Sequence, residues 1–251
     1  MLAAESKVLP LRLCRTESSH AATLCLARMN QDALYAAQRF APFLHPSELA
    51  RLDGMTDLRR HGYLTGRYCA KHALAHHIGI TALDHILIEP GVFGQPLVRA
   101  PSEAAIRIGI SHSADYACGL AFDPAQPMGI DLEPMSVRHE EAVRSQMTPA
   151  ERCLLANSWR HGHACAWLWT VKEALGKALL MGLTVPIWMY EVKAVEQSGQ
   201  FLVTTFAHLI QYKALSFEWN GALVTIVLPA RTTLEIPQDC GITALPFFQA
   251  G

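Results

Sequence analysis

The chain has 251 residues, 51% of them hydrophobic, enough to bury a sizeable core in one or two small domains. Its net charge of −1 gives no general attraction for nucleic acid, and no stretch approaches the roughly 18 apolar residues of a membrane span. The start lacks a basic-then-apolar leader, and seven cysteines (Cys14, Cys25, Cys69, Cys118, Cys153, Cys165 and Cys240) show no Cys-x-x-Cys spacing, so we expect a cytoplasmic protein with reduced thiols.

Residues 58–78 read as a first helix, stopped by Gly79-Ile80-Thr81. It carries Arg59, Arg60, Arg67 and Lys71; the last two are four apart and share a face, with Arg60 one or two turns back. A solvated helix face is the ordinary explanation for such a set. Arg51 lies in the same basic stretch without a defined place. Strands are expected at 85–88, 106–110 and 116–122. Asp123-Pro124-Ala125-Gln126-Pro127 is the most linker-like segment, and it divides the chain into halves 1–125 and 126–251.

A strand over 128–132 follows, closed by Pro134. Alternate residues share a face, so Asp131 and Glu133 project side by side while Ile130 and Leu132 face a core. Adjacent carboxylates repel unless a cation or proton relieves them, and a hard divalent ion suits such a pair. Taken alone, the pair would more often be an exposed acidic strand face.

Residues 159–181 read as a second helix, stopped by Gly182 and Pro186. Leu168, Val171, Leu175 and Leu179 form its buried stripe. Glu173 and Lys177 share another face, and Lys172 stands at the stripe's edge, an unusual place for a solvated charge. Gly176 costs about 1 kcal/mol relative to alanine, which implies close packing there. Glu173 suits a third metal ligand, with Lys172 and Lys177 against phosphate oxygens. The plain alternative is a surface ion pair worth roughly 0.3–0.5 kcal/mol.

Strands are expected at 187–195, 201–206 and 222–228, with a turn at Gln197-Ser198-Gly199-Gln200. Trp188-Met189-Tyr190 reads as strand core more readily than as interface. A helix followed by three strands thus occurs twice, which points to two similar α+β halves. His76, His77, His161 and His163 have no convincing metal-ligand spacing and read as surface or helix-end residues.

Gly129-Ile130-Asp131-Leu132-Glu133 and Trp169-Thr170-Val171-Lys172-Glu173-Ala174-Leu175-Gly176-Lys177 resemble the two most specific motifs of the 4′-phosphopantetheinyl transferases, in particular the larger surfactin-synthetase-activating type. Gly94-Gln95-Pro96, Ser111-His112-Ser113 and Thr148-Pro149-Ala150-Glu151 resemble three further elements of that family, in the same order. The resemblance implies an α+β fold of two pseudo-symmetric halves, each a long helix on a small antiparallel sheet, with the active site in the cleft between them. It implies transfer of 4′-phosphopantetheine from coenzyme A to a serine of an apo acyl or peptidyl carrier protein, with release of 3′,5′-ADP.

The implied roles run residue by residue. Asp131, Glu133 and Glu173 hold Mg²⁺, with Mn²⁺ as the alternative ion. Lys172 and Lys177 steady phosphate, and Glu173 or Glu151 takes the serine proton. Arg60, Arg67, Lys71, Gly94, Gln95, Pro96, Ser111 and His112 bind coenzyme A. Two halves in one chain imply an active monomer without nucleic-acid or membrane partners. Gln95 departs from the Lys or Arg usual at its position; its amide can hydrogen-bond but brings no charge. A catalytically silent coenzyme A or carrier-protein binding module is the main alternative, and a Mg²⁺-dependent pyrophosphate hydrolase the second.

Overall fold

The computed structural model describes residues 5–29, 41–103, 105–135, 140–158 and 163–245. They form two compact units, each with its own sheet and core. The first comprises Met1–Gln126 with Thr233–Gln238, the second Pro127–Thr232 with Asp239–Gly251.

The first unit opens with two long strands, β1 (Glu5–Cys14) and β2 (Ser19–Arg28), paired antiparallel along their whole length. Neither was expected from the sequence. The run Ala22–Ala27 is buried without interruption, so β2 lacks the period-two alternation by which a half-exposed strand is recognised. A short helix α1 (Pro46–Leu49) precedes the long helix α2 (Asp57–Ile78), where the first helix was expected. Thr56 caps its start, accepting the Arg59 N–H, and Gly79 ends it in the left-handed conformation. Strands β3 (Leu87–Pro90) and β4 (Pro96–Arg99) make a separate hairpin, followed by β5 (Arg107–Ser113) and β6 (Tyr116–Phe122). Cys69, Ala70, Ala73 and Leu74 of α2 pack onto the β2–β6 face.

The second unit opens with β7 (Gly129–Pro134), then α3 (Glu140–Gln146), α4 (Pro149–Ser158) and α5 (Ala164–Ala178). The sequence placed this last helix at 159–181; residues 159–162, and with them His161, lie outside the described residues. Strands β8 (Val192–Ser198), β9 (Phe201–Phe206), β10 (Tyr212–Trp219) and β11 (Ala222–Pro229) complete the unit's main sheet in the order β7-β11-β10-β9-β8. The strand expected over 187–195 starts only at Val192, because Ile187–Tyr190 winds into a 3₁₀ turn. That turn sends Tyr190 into the core and leaves Trp188 half exposed, so the Trp-Met-Tyr run is only in part a core element. Strand β10 escaped sequence reading; Ala214–Phe217 is buried on both faces and again shows no alternation.

Two short strands close the chain, and each joins a different unit. β12 (Thr233–Glu235) pairs with β1 of the first, while β13 (Ile242–Thr243) pairs with β10 of the second.

The units share a plan. Strand β2 pairs with β6, and β6 with β5, under helix α2. Strand β7 pairs with β11, and β11 with β10, under helix α5. In each, the strand before the helices pairs with the last of four strands after them.

Candidate functional site

The acidic site of the second unit follows from a close crossing. A Cβ on Gly129 would strike the Ala174 carbonyl oxygen, so β7 and α5 meet backbone to backbone. Gly176 has the close neighbour its cost implied: a Cβ there would strike the Gly182 carbonyl, while the N–H groups of Met181 and Gly182 donate to the Gly176 carbonyl. This contact lets short acidic side chains on strand and helix feel one another.

Asp131 stands opposite Thr225, and Glu133 opposite Leu223, in the β7–β11 register. Asp131 is 4% exposed, and its Oδ1 accepts a 2.6 Å bond from Lys177 Nζ. Glu173 is held above the ordinary carboxylate range, first by burial and then by the Asp131 charge; Lys177 opposes the rise and Glu133 adds to it. The structure therefore brings Asp131, Glu133, Glu173 and Lys177 into one electrostatic neighbourhood. Among the described residues, no three acidic, histidine or cysteine side chains are already gathered at metal-ligand spacing. Three carboxylates repel, and Lys177 supplies the opposing charge in this arrangement. Their chemistry is nevertheless that of a hard-ion site, since every donor is a carboxylate oxygen.

Two residues expected at this site do other work. Glu151 is fully buried, and its two oxygens accept the Thr148 N–H (3.0 Å), the Val192 N–H (3.1 Å) and Lys172 Nζ (2.8 and 2.9 Å). Thr148 Oγ1 accepts the Glu151 N–H in return, so Thr148 and Glu151 form a reciprocal cap on α4. Lys172, 3% exposed, is bound in this pair. Glu151, expected as a base, and Lys172, expected against phosphate, are thus paired with each other in the core.

Lys71, expected at coenzyme A, is buried in the same way. It is 0% exposed, with Nζ 2.5 Å from Glu48 Oε2, 2.6 Å from the Ile86 carbonyl and 3.1 Å from the Leu83 carbonyl. An ammonium has three N–H donors, and these three partners can take them all. Burial lowers the Lys71 pKa, and Glu48 opposes that fall. Sequence reading missed Glu48, although Pro46-Ser47-Glu48 and Lys71-His72-Ala73-Leu74 repeat as Pro149-Ala150-Glu151 and Lys172-Glu173-Ala174-Leu175.

Three arginines lie around a cavity of about 430 Å³ in the first unit. Arg51, Arg59, Tyr63, Arg67 and Pro90 line it together with the carboxylate-bearing Asp53, with Gly54 and Met55 at its side. Arg59, Tyr63 and Arg67 follow one another at four-residue steps along α2. Arg67 lies over the Tyr63 ring at 4.6 Å, donates to the Ile88 carbonyl at 3.1 Å, and approaches Glu48 at 3.1 Å. Arg60 turns elsewhere, toward the Leu52 and Met55 carbonyls and the Asp57 carboxylate. Sequence reading left Arg51 unplaced and gave Arg59 to solvent; the four-residue spacing through Tyr63 was the available signal.

Gly94, Gln95 and Pro96 form the β3–β4 turn. The Gln95 Oε1 accepts the Phe93 N–H at 2.9 Å, and the Gln95 carbonyl accepts the Gly91 N–H at 2.7 Å. The amide therefore braces its own turn. Ser111 is buried on β5, Ser113 half-buried, and His112 exposed between them.

Residues 127–227 match the family model described as the 4′-phosphopantetheinyl transferase superfamily. The match runs from the end of the linker into β11, less than half of the chain. The matched stretch contains Asp131, Glu133, Glu151, Lys172, Glu173 and Lys177. Similar solved structures include holo-(acyl-carrier-protein) synthases from Bacillus anthracis, in complex with CoA (3′,5′-ADP), and from Helicobacter pylori, in complex with coenzyme A. The former is 15% identical, with a TM-score of 0.36 over 46% of this chain and 96% of that one. The latter is 14% identical, with a TM-score of 0.31 over 45% and 96%. A holo-ACP synthase from Plasmodium yoelii matches at 15% identity and a TM-score of 0.33, over 47% and 95%. No curated protein matches the chain. No described helix is long and apolar enough to cross a membrane.

Proposed function

We propose that this chain is a 4′-phosphopantetheinyl transferase, which transfers 4′-phosphopantetheine from coenzyme A to a serine of an apo acyl or peptidyl carrier protein, releasing 3′,5′-ADP. The observation that carries the reading is the electrostatic coupling of Asp131, Glu133, Glu173 and Lys177 within the region matched to the superfamily. The sequence motifs favour the larger, surfactin-synthetase-activating type.

Asp131, Glu133 and Glu173 would hold Mg²⁺, or Mn²⁺ in its place. The bound ion would neutralise charge on the coenzyme A pyrophosphate as it is cleaved. Lys177, paired with Asp131 and about 29% exposed, is placed to turn its ammonium to a phosphate oxygen when the acids gain another counter-charge. The serine oxygen forms a bond to the phosphorus nearer the pantetheine, and the bond from that phosphorus to the 3′,5′-ADP oxygen breaks. Glu173 is the better candidate to take the serine proton. Burial and the Asp131 charge raise its pKa and so strengthen it as a base, whereas the Glu151 oxygens are buried and occupied. Arg51, Arg59 and Arg67 would meet coenzyme A phosphates, with His112 as a further donor.

A carrier protein is usually an acidic helical bundle, and the second unit has a cation-rimmed apolar cavity of about 580 Å³ that suits one. Arg144 and Arg152 stand at its rim, with Met147, Leu155 and Ala164 lining it.

The test is intact mass spectrometry of an apo-carrier protein incubated with the enzyme, coenzyme A and Mg²⁺, with Glu173→Gln run in parallel. Gain of one phosphopantetheine by the carrier, lost in the variant, is the expected result. If acyl, peptidyl and siderophore-type carriers all stay unmodified while coenzyme A still binds, the chain is a silent binding module.

A further inference from the structure

The side chain of His112 lies in a notch that two glycines cut into helix α2. A Cβ placed on Gly62 would stand 2.5 Å from the imidazole Cε1, 2.7 Å from Nδ1 and 3.3 Å from Nε2. One placed on Gly66, a single turn further on, would stand 3.3 Å from Cδ2 of the same ring and 3.2 Å from Cγ2 of Ile110. The ring therefore lies along the helix, its Cε1–Nδ1 edge over Gly62 and its Cδ2 edge toward Gly66. Residue 112 is nevertheless exposed as a whole, so the helix covers one side and solvent meets the other.

Gly62 gains nothing as a helix residue. It sits inside α2, where alanine is the better helix former, and it has no left-handed backbone to justify it. Its neighbour across the gap is the end of a movable side chain, not backbone, so a methyl group at 62 displaces the imidazole and leaves strand and helix where they are. The same notch fixes the ring's tilt against the helix.

We propose that Gly62 is a positioning residue, which seats the His112 imidazole against α2 in the one orientation that serves coenzyme A phosphate. Gly66 supports the far edge of the ring. This inference rests on the transferase reading given above, and it adds a residue that touches neither ligand nor reacting atoms. A histidine with free rotation about its side-chain bonds would lose that freedom on binding, and the notch removes much of this cost beforehand.

The test is a double-mutant cycle with Gly62→Ala, His112→Ala and the combined variant, read by coenzyme A KM, by kcat and by thermal midpoint. Gly62→Ala should raise the KM for coenzyme A about tenfold, the size of a hydrogen bond to a charged group, with kcat within about twofold. Its thermal midpoint should hold or rise, because alanine is the better helix former. On the His112→Ala background the same substitution should leave KM unchanged, since Gly62 acts only through the ring. In the NMR spectrum of wild type, the His112 Hε1 proton should show a cross-peak to the Gly62 Hα protons, absent at residue 62 in Gly62→Ala.

An unchanged KM in Gly62→Ala would overturn the seat while leaving the transferase intact. A KM rise that persists without His112 would overturn it too, by making the glycine's effect independent of the ring. A wild type that does not bind coenzyme A at all would overturn the transferase reading and, with it, this one.

Discussion

The two units solve one structural problem identically and then diverge. In each, a glutamate three residues past a cap bonds back to its own cap, accepts a strand N–H, and takes a buried lysine from the long helix. In the first unit these are Glu48, the N–H groups of His45 and Ile88, and Lys71. In the second they are Glu151, the N–H groups of Thr148 and Val192, and Lys172. A charged group with all its partners at hand can sit in a core, and this pair ties loop, helix and sheet together twice.

What differs is the residue beside the lysine and the strand beneath it. After Lys71 comes His72, whose ring tilts onto Tyr68 at 4.3 Å and whose pKa falls through burial. After Lys172 comes Glu173, coupled to Asp131 and Glu133 on β7. Strand β2, which takes the place of β7 in the first unit, contains no carboxylate. The first unit is left with an arginine-lined cavity and the second with an acidic cluster. One plan thus carries opposite charges in its two units.

The sharpest way to break this comparison is to remove one lysine at a time. Lys172→Met should lower unfolding free energy by about 3–5 kcal/mol, because it removes the cation paired with buried Glu151, and Lys71→Met by less, because Arg67 stays 3.1 Å from Glu48. Urea titration would show both losses; a loss at only one of the two would mean the other pair does not hold the fold. Next in size is the acidic cluster. Asp131→Asn should cut carrier modification at least 100-fold while folding is kept, a separation that neither lysine variant can show. Arg59→Ala, in the arginine-lined cavity, should raise the coenzyme A KM about tenfold at low salt with kcat little changed, and the defect should shrink with added salt as the lost attraction is screened in wild type too.

A smaller effect has an unusual sign. Glu173 binds its proton more tightly folded than unfolded, because burial and the neighbouring acids raise its pKa. Stability therefore falls as pH rises from the ordinary carboxylate range through that raised value, and the folded state regains it below. Glu173→Gln should accordingly melt higher than wild type at neutral pH, with the two converging near pH 4; a lower midpoint at pH 7 would contradict the coupling. Smallest is Gln95→Ala, which removes one side-chain acceptor from the β3–β4 turn and should cost about 0.5–1.5 kcal/mol, visible as faster amide exchange in that hairpin.

Much of this was legible in the chain. The α+β class, the long helix ending at Gly79, the strand carrying Asp131 and Glu133, and the shared helical face of Glu173 and Lys177 all follow from periodicities of 2 and 3.6 and from stop signals. Strands β2 and β10 were not legible, because strands buried on both faces show no alternation. The fate of the cations was the larger gap. Lys71, Arg67 and Arg59 lie on one helix at four-residue steps, and spacing alone treats them alike. Only the packing buries Lys71 on Glu48 while it leaves Arg59 and Arg67 around a cavity. The same holds for Glu151 and Glu173, two acids of one motif-bearing region: the backbone of α4 and β8 encloses the first, and the crossing of α5 over Gly129 sets the second among like charges. Sequence determines which charges a segment offers and which face they share. How far each is desolvated, and by what partners, depends on residues distant in the chain, so tertiary structure alone decides which charges hold the fold and which remain for chemistry.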